Sequence, residues 1–251
     1  MNLLLSLDIT TTSWALAGTA ACVIGISKAG IKGIAIINVT LMALAFGAKA
    51  STGLLVPLLV VGDIFAVIYY HRHAQWRYII KLLPWMVAGI VIGVYLGKDL
   101  PPEAFKIGMS AIILGSVLMM YWWDQKKSKK VPTHWAFAGS IGIMAGITTM
   151  IGNLAGAFSN IFFLAMRLPK NEFIGTAAWL FFIINLIKLP FHFFVWETIT
   201  PETLMVNLKL LPGILLGLFI GIRLVKIIKD DFYRKMILVL TAIGAIVIMF
   251  R

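Results

Sequence analysis

The chain has 251 residues, of which 61% are hydrophobic and only 13% are charged. Because a soluble domain is about half apolar and a quarter charged, this composition excludes an ordinary soluble domain and indicates a protein surrounded by lipid. The net charge of +12 does not indicate nucleic-acid binding, since the basic residues lie in short interruptions between apolar runs. The single cysteine, Cys22, excludes an internal disulfide and a cysteine metal site.

Long apolar stretches follow one another along the chain. The N-terminal segment Met1–Trp14 contains no Lys or Arg and lacks the basic region of a signal peptide, so we assign it to the mature chain. With their flanks, Leu83–Gly97, Ile107–Trp123 and Leu210–Ile222 approach the ~20 apolar residues that a helix needs to cross the membrane. Alternation with a period of two is absent, which argues against a β-barrel. The sequence therefore predicts an all-α polytopic membrane protein.

The chain also contains an internal repeat. A shift of 122 residues aligns the first matches, and after a six-residue insertion the shift becomes 128. Matches between apolar residues arise by chance, whereas matches at Gly, Pro, Asn and Lys are harder to obtain by accident. The matching pairs include Gly30 with Gly152, Asn38 with Asn160, Gly53 with Gly175, Asp63 with Asn185, Leu82-Leu83-Pro84 with Leu210-Leu211-Pro212, and Gly93 with Gly221.

The repeat divides the chain into a first repeat (residues 1–123), a basic linker (124–133) and a second repeat (134–251). The lysines of Lys126–Lys130 predict a cytoplasmic linker under the positive-inside rule. Loop 71–81 is basic and therefore cytoplasmic, whereas the equivalent part of the second repeat contains the acidic stretch Trp196–Leu204 and is external. The two repeats thus have inverted topology, as in many secondary transporters, and both termini are external.

Each repeat is predicted to consist of a helical hairpin and three transmembrane helices. Segment 134–170 begins and ends on the cytoplasmic side, and its two arms of about fifteen residues would cover only ~22 Å as helices. The hairpin is therefore re-entrant, with tip Gly146–Gly156 inside the bilayer; Gly25–Gly33 is the equivalent tip, and two complete, tilted spans are the alternative. The predicted spans are 50–71, 77–97, 103–123, 172–195, 203–225 and 232–250.

The two tips are the first candidates for a binding site, because non-helical backbone at membrane depth must line a cavity or be buried in protein. A helix that starts just after a tip directs free N–H groups and the positive end of its dipole at that cavity, which favours anions. Close helix packing is the alternative role for the glycines, but it does not explain two lysines in an apolar stretch. The candidate substrate-binding residues of the tips are Ser27, Lys28, Gly30, Lys32, Gly33, Thr148, Thr149, Gly152 and Asn153.

Four further residues extend the candidate substrate site beyond the tips. The repeat partners Asn38 and Asn160 suit either ligand contact or a hydrogen bond between helices, and the sequence does not separate the two. Asn185 and Lys188 are one helical turn apart, and His192 follows one turn later. This face suits an anion path, with an outer-interface position as the alternative for His192.

Asp63 is the candidate for proton or ion coupling. It lies in the middle of the apolar run Leu54–Ile68, where a carboxylate is costly and usually functional. Two interpretations remain open, a proton carrier and a structural counter-ion to Lys188 or Lys28. The chain has no phosphate-binding loop and no His-Glu-x-x-His motif, so we expect no enzyme activity, no metal and no cofactor.

The duplicated turns Gly25–Gly33 and Gly146–Gly156, with the following segments Gly47–Pro57 and Pro169–Thr176, resemble those of the TauE/SafE sulfite exporter family over nearly the whole chain. Members of that family are small inner-membrane carriers with two repeated halves, associated with export of sulfite, sulfoacetate and related organosulfur anions. This sequence departs from the usual runs of adjacent glycines at Ser27-Lys28-Ala29 and Asn153-Leu154-Ala155.

Together these features predict a secondary transporter of the inner membrane that exports small anions such as sulfite or organosulfonates. The substrate is expected between the two hairpin tips near the bilayer midplane, with the lipid bilayer as the other partner and proton coupling as an option. An anion channel or uniporter is one alternative, and a membrane assembly protein without transport activity is another. The sequence does not indicate an oligomeric state.

Overall fold

A computed structural model describes residues 10–101 and 134–229, together with 103–104, 107–108, 111, 115, 232 and 236. These residues are almost entirely helical and contain no β-strand. A 3-10 turn, His71–His73, follows the helix that ends at Tyr70, and a π-helical turn, Phe191–Val195, continues the helix that ends at Pro190. The helices are α1 (Thr11–Lys28), α2 (Ala35–Phe46), α3 (Ala48–Tyr70), α4 (Trp76–Lys98), α5 (Trp135–Gly152), α6 (Ala155–Ala165), α7 (Lys170–Pro190) and α8 (Pro201–Ile227).

Local sequence sets several helix ends. The Thr10 side chain caps α1 by accepting from the Ser13 N–H, and Thr200 and Thr203 form a capping box at the start of α8, with Pro201 as its first residue. Gly47 alone separates α2 from α3, with φ 84° and ψ 156°. That backbone region is essentially restricted to glycine, so the sharp junction between α2 and α3 depends on this residue.

The predicted all-α membrane fold is confirmed in outline. Five described helical segments are long and apolar enough to cross a membrane: Ala48–His73, Trp76–Lys98, Trp135–Gly152, Lys170–Val195 and Pro201–Ile227. Four of them coincide with the predicted spans 50–71, 77–97, 172–195 and 203–225. The predicted spans 103–123 and 232–250 lie largely outside the described residues, and the linker 124–133 lies entirely outside them.

The arms of the two hairpins are unequal, where the sequence suggested about fifteen residues each. The arms that lead to the tips, which we call the outward arms, are α1 and α5, and each has 18 residues. The arms that lead away from the tips, which we call the return arms, are α2 with 12 residues and α6 with 11. At 1.5 Å per residue the outward arms extend about 27 Å and the return arms only about 17 Å. A return arm of this length is too short to cross ~30 Å of hydrocarbon.

The hairpin of each half packs on the last described helix of the other half. Helix α1 lies along α8 and α5 lies along α4. Glycines permit both approaches: a Cβ on Gly217 would overlap the Cys22 carbonyl oxygen, and one on Gly89 would overlap the Ile143 carbonyl oxygen. Such small residues let membrane helices pack backbone against backbone. Gly89 and Gly217 are 128 residues apart, which is the shift that aligns the later part of the two predicted repeats.

Helices α3 and α7 form the centre and run in opposite directions. Gly53 of α3 packs against Thr198 at one end, and Gly175 of α7 packs against Tyr70 and His73 at the other. Asp63 lies ten residues, or about 15 Å, along α3 from Gly53, and Asn185 lies the same distance along α7 from Gly175. Both residues are therefore in the middle part of the bundle.

The two ends of the bundle differ in charge. One end, which we call the basic face, combines the end of α3, the start of α7 and the end of α8, and carries Glu172 besides its basic residues. The opposite face combines the start of α3, the end of α4 and the start of α8, where the Trp196 indole N–H donates to the Val94 carbonyl. The basic residues of the first face include Arg72, Arg77, Arg167, Lys170, Lys226 and Lys229, whereas the opposite face has Asp99, Glu197 and Glu202 beside Lys49 and Lys98.

The glycine contacts generate a stability prediction. Gly217→Ala and Gly89→Ala are each expected to lower the free energy of unfolding by about 1–3 kcal/mol, because the new methyl group meets rigid backbone of the neighbouring helix. Gly18→Ala in α1 is the control, since nothing lies within 4 Å of the added Cβ. The measurement is the Tm of the detergent-purified protein, and equal Tm values for all three variants would contradict this account of the helix packing.

Candidate functional site

A cavity lies between the two hairpin tips and the central helices α3 and α7. It comprises about 530 Å³ of space that no protein atom occupies, and part of this space is open to the exterior of the protein. Nine predicted site residues line it: Ser27, Lys28, Lys32, Gly33, Asn38, Thr149, Asn153, Asn160 and Asn185. The other five, Gly30, Thr148, Gly152, Asp63 and Lys188, are not part of the cavity wall.

The first tip bends through two glycines with positive φ, Gly30 at 128° and Gly33 at 100°. Residues with a Cβ rarely adopt such values, so the turn depends on glycine at both positions. Gly30 lies against Ile174 and Val225, near the basic face, and the Tyr70 hydroxyl donates to the neighbouring Ala29 carbonyl at 2.9 Å. Gly30 therefore shapes the tip from outside the cavity.

The second tip bends through an asparagine. Asn153 follows α5 with φ 56°, a left-handed conformation that Asn tolerates better than most residues with a Cβ. The N–H groups of Asn153 and Leu154 close the helix end on the Thr149 and Thr148 carbonyls. The Asn153 amide also donates to the Thr52 carbonyl at 3.1 Å, near the start of α3. The two tips thus approach opposite faces of the bundle, with the cavity between them.

Asp63 is paired with Lys28, as one of its two sequence-based interpretations proposed. The Lys28 ammonium donates to Asp63 Oδ1 at 2.6 Å, and the Asn185 amide donates to Asp63 Oδ2 at 2.7 Å. Asp63 is fully buried in an apolar interior, where an uncompensated charge is costly. These two donors compensate its charge. Gly62 provides the room, because a Cβ there would lie 2.8 Å from Lys28 Cγ. The triad of Lys28, Asp63 and Asn185 therefore joins the first tip, α3 and α7.

Lys188 is held by the second tip and not by Asp63. Its ammonium donates to the Thr149 carbonyl and the Thr149 hydroxyl, both at 3.1 Å, and to the Asn153 side-chain oxygen. These three acceptors match the three N–H donors of a lysine ammonium, and all three are uncharged. Lys188 is fully buried behind Thr149 and Asn153, which form part of the cavity wall.

Lys32 lines the cavity, and its side-chain ammonium has no hydrogen-bond partner among the described residues. It is only 3% exposed, and its ammonium lies 5.6 Å from the centre of the Phe181 ring. Lys28 lies 5.4 Å from the same ring. Cation–π contacts of this kind partly replace hydration but leave the N–H donors of Lys32 unused.

The paired asparagines are buried at the cavity. Asn38 on α2 and Asn160 on α6 both line it, and Asn160 Oδ1 has no hydrogen-bond partner among the described residues. Thr148, in contrast, is turned back on its own helix and donates to the Ala145 carbonyl at 3.2 Å.

Some cavity residues were not apparent in the sequence. The apolar part of the wall includes Leu59, Phe181 and Ile184, which are indistinguishable in sequence from the apolar residues around them. Ala35 and Ala155, the first residues of α2 and α6, also line the cavity. The one signal that could have identified Phe181 is its position four residues before Asn185, which places both residues on the same face of α7.

His192 is fully buried just after the C-terminal end of α7. It lies in the π-helical turn, its Nδ1 is 2.9 Å from the Thr198 hydroxyl, and its ring packs edge-on against Trp196. Its Nε2 has no partner among the described residues. The residue therefore belongs to the packed end of α7 and does not line the cavity.

Five apolar helical segments of membrane-spanning length, together with a cavity whose wall includes Lys28 and Lys32, define a multi-pass α-helical membrane protein with a polar internal cavity. The model of the sulfite exporter TauE/SafE family matches residues 14–248, nearly the full chain. The chain belongs to this family, which is a family of membrane transporters and not of enzymes. No curated protein and no solved structure was found to match the chain.

Proposed function

We propose that this chain is a secondary transporter that exports small anions such as sulfite or organosulfonates. The substrate binds between the two hairpin tips, in the cavity near mid-depth. The observation that carries the proposal is the charge around this cavity: the buried charged residues of the described part are three lysines, Lys28, Lys32 and Lys188, and one carboxylate, Asp63. An ionised group in the membrane interior is costly and usually functional, and an anion supplies the missing counter-charge.

The helix ends at the cavity also favour an anion. Ala35 and Ala155 begin the two return arms, and both line the cavity. The first turn of each helix leaves backbone N–H groups without intrahelical partners, and its dipole is positive at that end. Two such helix starts facing one cavity resemble the anion sites of transporters built from broken helices.

We further propose that the two halves are inverted repeats in the cell inner membrane. The basic face is cytoplasmic and the opposite face is external. The two termini, which lie outside the described residues, are external, and the linker, which also lies outside them, is cytoplasmic. Support comes from the helix directions: α3 and α4 each run opposite to their equivalents α7 and α8 across the two faces. The accumulation of Lys and Arg at one face follows the positive-inside rule.

Asp63 is proposed to couple transport to protons. Protonation of its carboxylate would remove the partner of Lys28, and an arriving anion would replace it. A structural role as counter-ion alone fits the same geometry, so the two interpretations require an experiment.

Substrate binding is tested first by uptake into proteoliposomes. We expect sulfite and sulfoacetate to be transported in preference to chloride, and Asn160→Leu to weaken transport at least tenfold, because it removes a polar group from the cavity wall. Asn207→Leu is the matched control, since the side chain of Asn207 is buried with no hydrogen-bond partner among the described residues but does not line the cavity. If both variants lose transport activity to the same extent, the substrate-binding site does not lie in this cavity. Movement of charge without a coupled ion would favour a channel over a secondary transporter.

The role of Asp63 is tested with Asp63→Asn, which places in α3 the residue that α7 has at the equivalent position. If Asp63 carries protons, transport driven by a pH gradient is lost while anion exchange survives. If Asp63 is only a counter-ion, the variant leaves Lys28 unpaired and loses about 3–5 kcal/mol of stability, and exchange fails as well. The double variant Lys28→Met/Asp63→Asn then regains stability. Normal stability with full pH-driven transport would defeat both interpretations.

Orientation is tested by cysteine labelling after Cys22→Ser. A membrane-impermeant maleimide applied to intact cells is expected to label Asp99→Cys, because Asp99 is exposed on the external face. Arg72→Cys, exposed on the basic face, and Ser128→Cys in the linker should react only after the cells are permeabilised. Labelling of the last two from outside would overturn the inverted orientation.

A further inference from the structure

The buried charges around the cavity do not balance. In residues 10–101 and 134–229, the buried side chains with a formal charge are Lys28, Lys32, Lys188 and Asp63, with His192 counted as neutral. Three positive charges against one negative charge leave an excess of two. The hydrogen bonds of each lysine show where this excess lies.

Lys28 contributes nothing to the excess. Its ammonium and the Asp63 carboxylate form a direct ion pair at 2.6 Å, and the second carboxylate oxygen is occupied by Asn185. This pair is internally neutral, and a ligand has little electrostatic reason to contact it.

Lys188 supplies one uncompensated positive charge, from a position behind the residues that form the cavity wall. Its three donors are saturated by the Thr149 carbonyl, the Thr149 hydroxyl and the Asn153 side-chain oxygen, so it has no donor left for a ligand. Its acceptors are neutral and do not cancel its charge. Because Thr149 and Asn153 line the cavity, the field of Lys188 reaches a ligand there with little screening by water.

Lys32 supplies the other charge, and it faces the cavity directly. Its ammonium donates no hydrogen bond to any described residue and rests over the Phe181 ring, which gives partial compensation only. Lys32 and Lys188 both lie within electrostatic range of the Lys28–Asp63 pair, so the four charges belong to one site.

We infer that the ligand of this cavity is an oxyanion with two negative charges, bound directly by Lys32, with Lys188 as a positioning residue that acts through Thr149 and Asn153. This inference rests on the proposed function and names the charge of its substrate. A monoanion leaves one buried positive charge uncompensated, whereas a dianion cancels both. The site therefore selects for charge before it selects for the shape of the anion.

The experiment measures binding to the purified full-length protein by the ligand-induced rise in Tm and by calorimetry. Two pairs of similar size differ in charge: sulfate against perchlorate, and sulfoacetate against propanesulfonate. We expect the dianion of at least one pair to bind at least tenfold more tightly than its monoanion. Lys32→Gln should weaken dianion binding at least tenfold and bring the ratio of the two affinities close to one.

The matched control is Lys209→Gln. Lys209 also lies over an aromatic ring, 5.4 Å from the centre of Trp14, but it is exposed on α8 and does not line the cavity. This variant should retain the wild-type ratio. Lys32→Arg, which keeps the charge, should retain a dianion preference and covers the case in which Lys32→Gln does not fold.

Two results separate the failure of this inference from the failure of the proposed function. If anions bind but the wild type does not distinguish dianions from monoanions, or if Lys32→Gln keeps the full preference, the charge assignment is wrong and anion transport stands. If no anion of either charge binds or is transported, the proposed function fails, and the inference fails with it.

Discussion

The triad of Lys28, Asp63 and Asn185 is the interaction on which the described structure depends most. Asp63 is fully buried, and its two carboxylate oxygens accept from Lys28 and Asn185, which compensate its charge where water does not reach it. Because Lys28 ends α1 while Asp63 and Asn185 lie on different central helices, this one cluster fixes the first hairpin against both α3 and α7. A hairpin tip at this depth would otherwise expose a charged side chain and open backbone to hydrocarbon.

The second hairpin is also held by hydrogen bonds from a buried lysine, but here the lysine and its acceptors have exchanged positions between tip and central helix. In the first half the tip provides the lysine and the central helix provides the acceptor. In the second half the central helix provides Lys188, and the tip provides the acceptors Thr149 and Asn153. The overall plan of the two halves is thus similar while the charges differ, because the acidic position 63 of α3 corresponds to the neutral Asn185 of α7. The cavity between the two tips therefore has an unequal distribution of charge, with Lys28 and Lys32 in its wall on the first side and Lys188 behind Thr149 and Asn153 on the second.

The membrane helices could be predicted from the sequence because hydropathy over about twenty residues is a strong signal that packing does not override. The choice between Lys28 and Lys188 as partner of Asp63 could not be made. Their separations along the chain, 35 and 125 residues, carry no information about distance in space. The shared face of Asn185 and Lys188 was expected from their spacing, yet one side chain reaches Asp63 and the other reaches the second tip. Long side chains on one face can serve different partners, and only the three-dimensional arrangement separates them.

Gly47 gives the first hairpin a mechanical property that the second lacks. Helix α2 meets α3 at this one residue, whereas four residues, 166–169, separate α6 from α7. If the first return arm tilts, either φ and ψ of Gly47 change or α3 tilts with it. Helix α3 is the helix that contains Asp63. The second return arm has slack in its longer connection and can shift without turning α7. A tilt of the first return arm would thus be coupled to the helix that carries Asp63 unless Gly47 changes its φ and ψ, whereas the second return arm has four connecting residues in which a tilt could be absorbed.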